Sequence, residues 1–141
     1  MAVEQADLLE QRLRDAIGVA DVLAAGWEIF EFVRVLCAVG AGLAADLYPA
    51  FTFARGSAVS GRNVIALAPS LLACPPAPSE NPVPPTGEAD EIADVIAGLA
   101  AALSERLRET ARLATDPDDQ AACQDAARDA ARISELLARG T

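Results

Sequence analysis

Apolar residues recur every three or four positions through most of this chain, the period of helices that bury one face. Near the start, Leu9, Leu13, Ile17, Ala20 and Leu23 fall on one stripe, while Glu4, Asp7, Glu10, Arg12, Arg14 and Asp15 lie mostly opposite. This predicts a helix from about Val3 to Ala24, with Gly26 as its stop. The next stretch, Trp27 to Leu47, breaks the pattern because it is apolar nearly all the way round, and no charge interrupts Val35 to Ala45. Such a helix is expected to be enclosed by its neighbours and to act as the hub on which the others pack.

Residues 48–73 are harder to assign. Pro49 suits the first turn of a short helix over PAFTFAR, Gly56, Ser57, Ser60 and Gly61 mark a break, and NVIALAPSLL follows with Asn63 as candidate N-cap and Pro69 limiting its length. The alternative is a short hairpin of FTFA and NVIAL, although the loop between them is longer than favoured hairpin turns. Residues 74–87, CPPAPSENPVPPTG, hold six prolines and read as an extended linker. Beyond it, Thr86 is a candidate N-cap for a helix whose stripe is Ile92, Ile96, Leu99, Leu103, Leu107 and Thr110, ending near Ala114. In the turn TDPDD, Thr115 or Asp116 caps a last helix with Pro117 at its first position. Its buried face is Ala122, Ala126, Ala130, Ile133 and Leu137, and Gly140 ends it.

The predicted fold is therefore all-α: an antiparallel bundle of four to five helices, with the proline-rich linker before a C-terminal αα-hairpin. One domain over residues 1–141 accommodates it, divided into N-terminal helices (1–73), linker (74–87) and hairpin (88–141). Composition strengthens the assignment: hydrophobic residues make up 52% and aromatics only 4%, the difference being largely alanine, the best helix former.

Charge narrows the partners. The net charge is −10, split as −3 over residues 1–73 and −7 over residues 74–141, and all eleven basic residues are arginine. A chain this acidic, with no basic stripe, is repelled by phosphate backbones and anionic lipid, so neither nucleic acid nor membrane is an expected partner. The uncharged run is also shorter than the roughly 18–20 apolar residues of a membrane span. An acidic N-terminus without a basic leader points to a cytoplasmic protein. Cys37, Cys74 and Cys123 are odd in number and widely spaced, which argues against a disulfide framework. Cys37 and Cys123 fall on apolar faces, whereas Cys74 opens the linker and is the exposed candidate.

Histidine is absent, which removes the commonest general base and metal ligand. The paired acids Glu28 with Glu31, Glu88 with Glu91, and Asp116 with Asp118 and Asp119 read as helix-start residues, where carboxylates stabilise the terminus. No Glu-x-x-His motif is present for a di-metal site, so no metal or cofactor is expected. The stretch from Gly56 to Asn63 has P-loop glycine spacing but carries Arg62 and Asn63 where lysine and a hydroxyl are required. Arg55 and Arg62 flanking that stretch suggest instead a loop able to hold a small anion, or simply two solvated side chains. P-x-x-P spacing at Pro75 to Pro78 and Pro82 to Pro85 arises easily in any proline-rich linker. Trp27, Phe30, Phe32, Phe51 and Phe53 are the expected place for a partner or apolar ligand, if they are not simply core.

The segment TDPDDQAACQDAARDAARISELLAR, after an amphipathic helix, and the earlier ADVLAAGW together resemble small uncharacterised helical proteins of GC-rich actinobacteria. That resemblance implies a small all-helical protein and no particular activity. The functional expectation is a non-enzymatic helical interaction or regulatory protein that self-associates or binds a protein partner. A helical domain binding a small apolar or anionic ligand is the alternative, and a carboxylate- or thiol-dependent enzyme the least supported reading.

Overall fold

The computed structural model describes residues 2–73 and 88–138, which are helices joined by short turns. In order the elements are α1 (Ala2–Asp15), α2 (Val19–Leu43), a 3-10 turn (Ala45–Leu47), α3 (Tyr48–Ala66), the short α4 (Pro69–Ala73), α5 (Ala89–Leu113) and α6 (Pro117–Leu137). The fold class is all-α. The linker, Cys74, Thr86 and Gly140 lie outside the described residues.

Four long helices close a ring in which α2 packs on α3, α3 on α6, α6 on α5 and α5 on α2. α1 lies along α2 and α5, and α4 crosses the end of the ring near α2 and α6. The expected stripe of α5 and that of α6 are buried residue for residue. At the head of α6 the carboxylate of Asp116 accepts from the Asp118 amide at 2.8 Å, and Pro117 takes the first helical position, where no amide is needed. Glu88 occupies the cap position of α5. Ser104 on α5 donates to the Ala127 carbonyl of α6 at 3.0 Å, a polar tie across a largely apolar seam.

The N-terminal boundaries fall elsewhere than the sequence suggests. α1 ends at Asp15, and the chain turns at Gly18, whose φ of 87° is one that a side chain disfavours. Arg106 of α5 holds this turn by donating to the Ala16 carbonyl at 2.8 Å. Ile17, expected in the buried stripe, therefore points into solvent at 84% exposure. Gly26 lies inside α2 instead of stopping α1, because its bare Cα admits the ends of Ile65 and Leu103.

α2 is also one side of the ring and not an enclosed axle. Val22, Leu23, Ile29, Phe30, Val33, Leu36 and Cys37 are buried, while Trp27, Glu31 and Arg34 are only partly covered and Ala38 and Gly42 are exposed. Residues 48–66 form one uninterrupted helix, so neither the break at Gly56–Gly61 nor the hairpin is present, and Asn63 lies within α3.

Candidate functional site

The aromatic cluster resolves into a seam and a surface. α2 and α3 run antiparallel from the turn at 44–47, and each offers a ring to a glycine of the other. Phe30 of α2 lies on Gly61, and Phe51 of α3 lies on Gly40. Both rings are buried, at 1% and 0% exposure. Burial of each side chain contributes about 1.5–3 kcal/mol, and the missing Cβ atoms let the backbones approach around the rings. Phe32 is buried too, and Trp27 is half-buried against the core. Phe30, Phe32 and Phe51 are thus core side chains.

Phe53 turns outward with 62% exposure, one helical turn before the solvent-facing Gly56. Tyr48 at the start of α3 is 56% exposed, and Leu43 at the end of α2 is 53% exposed. Pro49, Thr52, Arg55, Gly56, Ser60 and Asn63 complete the solvent side of α3. α3 contains no acid, which sets it apart in a chain with 21 acids.

Arg55 and Arg62 do not flank a loop. Both stand on α3, and they part company there. Arg55 is exposed, whereas Arg62 reaches across to Glu31 of α2. Arg34 grips the same carboxylate through two hydrogen bonds of 3.1 Å. Partial burial pushes the Glu31 carboxyl upward, but the hydrogen bonds from Arg34 and Arg62 outweigh it and hold it below the ordinary range. This cluster ties α2 to α3, and the P-loop and anion-loop readings lose their geometric basis.

The paired acids are likewise dispersed. Glu28 and Glu31 sit in the middle of α2, not at a helix start, and Glu28 turns to Arg12 of α1. Glu88 and Glu91 are exposed at the head of α5. Asp119 is 4% exposed and crosses to α4, accepting from the Ser70 amide at 3.0 Å and from its hydroxyl at 2.5 Å. In the sequence Asp119 is one more acid at the start of its own helix; nothing local reveals that it serves another. Asp129 on α6 accepts from Ser60 of α3 at 3.0 Å, and its burial raises the carboxyl despite that bond.

Cys37 and Cys123 are buried free thiols, pushed up by burial to about 12 and about 11. They are protonated at neutral pH and poor nucleophiles there. Among the described residues no group of three or more acids and cysteines is placed to hold a metal ion, and no helix is long and apolar enough to cross a membrane. Open grooves lie along α1 and α5, lined by Val3, Ala6, Asp7, Glu10, Asp94 and Leu99, and along α5 and α6. Comparison with protein-family models, with curated proteins and with solved structures gave no match.

Proposed function

We propose that this chain works by binding and not by catalysis, as a helical interaction protein that self-associates through the outer face of α3. The observation that carries the reading is the exposure of Tyr48 and Phe53, with Leu43 beside the same turn, on a helix without acids. Aromatic side chains bury large area at low entropic cost and dominate interface energetics.

A second copy of the chain is the occupant that charge favours. Each molecule carries −10, so two copies meet most easily where acids are fewest. Glu31 is already engaged by Arg34 and Arg62, which leaves Arg55 as the charged side chain in the middle of the α3 face. Gly56 has open space above it and lets a neighbouring helix come close.

Absolute mass by light scattering after size exclusion, over a range of concentration, tests the proposal. The expected result is a concentration-dependent dimer that Phe53→Glu returns to monomer while helicity is kept. A monomer at every concentration, or a dimer indifferent to Phe53→Glu, overturns it. Trp27, half-buried against the core, is not the residue to change, because a charge there would disturb the fold itself.

A further inference from the structure

The groove between α5 and α6 is lined by Arg108, Arg128, Ala131, Arg132, Glu135 and Leu136 and offers about 610 Å³. Three guanidiniums and one carboxylate line it, in a chain whose net charge is −10. The acids of α6 offset part of the guanidinium charge. Asp125 pairs with Arg128 at the rim. Asp129 gives its hydrogen-bonding oxygen to Ser60 of α3 and feels Arg128 and Arg132 only through their charge. Among the described residues, Arg108 and Arg132 have no salt-bridge partner. Two like charges at Arg128 and Arg132, one helical turn apart, disfavour the helix slightly unless an anion lies between them.

We propose that this groove binds a small phosphate monoester, with the phosphate dianion between Arg108 and Arg132 and an apolar group against Ala131 and Leu136. Planar guanidinium forks match phosphate oxygens in pairs, which favours arginine at such a site. A dianion is drawn to the two guanidiniums without an ion-pair partner more strongly than a monoanion. The site is on a different face from the outer surface of α3, so it stands or falls independently of self-association.

Calorimetric titration of the full chain with phenyl phosphate, and with inorganic phosphate for comparison, provides the test. Saturable one-to-one binding is expected, tighter for phenyl phosphate. Arg108→Ala and Arg132→Ala should each weaken it about tenfold, the worth of one charge-assisted hydrogen bond. Glu135→Gln removes the one opposing carboxylate and should tighten binding, while Arg55→Ala on α3 should leave it unchanged. Affinity should also fall below about pH 6, where the phosphate takes up its second proton. Absence of saturable binding, equal affinity for the two phosphates, or indifference to both Arg108→Ala and Arg132→Ala overturns the proposal. Glu135→Gln keeps the test sharp should an arginine variant fold poorly, since it is expected to gain affinity and not lose it.

Discussion

The ring of Phe30 on α2 rests against the bare backbone of Gly61 on α3, so closely that a methyl group there would overlap it. Phe51 and Gly40 repeat the arrangement with the helices exchanged, where an added Cβ would lie 2.6 Å from the ring. Gly61→Ala and Gly40→Ala should therefore each destabilise the protein. Overpacking costs about 1–3 kcal/mol, offset by about 0.5–1 kcal/mol from replacing a helical glycine. Gly56→Ala on the same helix as Gly61 has nothing within 4 Å of its added carbon and should be stabilising. Urea unfolding of the three variants checks this, and equal stabilities would mean that the seam is not packed as described.

Asp119 joins two elements, since it stands in the first turn of α6 and accepts both Ser70 hydrogen bonds at the head of α4. Removing the carboxylate strands a backbone amide and a hydroxyl, a loss of about 1–3 kcal/mol. Asp119→Ala should thus cost more than Ser70→Ala, which leaves the amide its acceptor. Hydrogen exchange of the backbone amide at position 70 separates the two variants: it should quicken in Asp119→Ala and stay slow in Ser70→Ala.

The reach of the sequence can be judged from these same residues. α5 and α6 are legible because they are amphipathic and packed mainly on each other, and α6 carries its own cap in Asp116. Gly26 and Gly61 read as a stop and a break because glycine has two uses, turning the chain and making room. Which use applies depends on Ile65 and Phe30, residues far off in sequence. Because α3 runs on through Gly61, the loop expected between Arg55 and Arg62 does not exist as a site. Phe51 and Phe53, two residues apart, face opposite ways once α3 is helical; which of them is buried depends on where α2 and α6 pack, and no stretch of sequence records that.

Stability toward acid should depend on Glu31 and Asp129 with opposite signs. The folded Glu31 carboxyl lies below its ordinary value, so its contribution is present above about pH 4.5 and lost as the pH falls through the folded value. Asp129 is raised, so its ionised form opposes folding above its folded value and that cost is relieved on acidification. Glu31→Gln should accordingly flatten the loss of stability below pH 4.5. Asp129→Asn, whose amide oxygen still accepts from Ser60, should steepen it while slightly raising stability at neutral pH. Unfolding midpoints measured from pH 3 to 7 decide the matter.

Thiol labelling connects the core to the α4 contact. Burial first, and then the charge of Asp119, keeps the Cys123 thiol protonated, and burial does the same for Cys37. In a Cys74→Ser background both should resist a disulfide reagent at pH 8 until the protein opens, with rates that track urea concentration. Asp119→Ala should speed labelling of Cys123 on two counts, because it removes the opposing charge and releases the end of the ring where α4 crosses. Cys37, further along α2, should respond only through global stability. Mass spectrometry of partly labelled protein distinguishes the two sites; equal acceleration at both would show that Asp119 acts on the fold as a whole and not on its own end of the bundle.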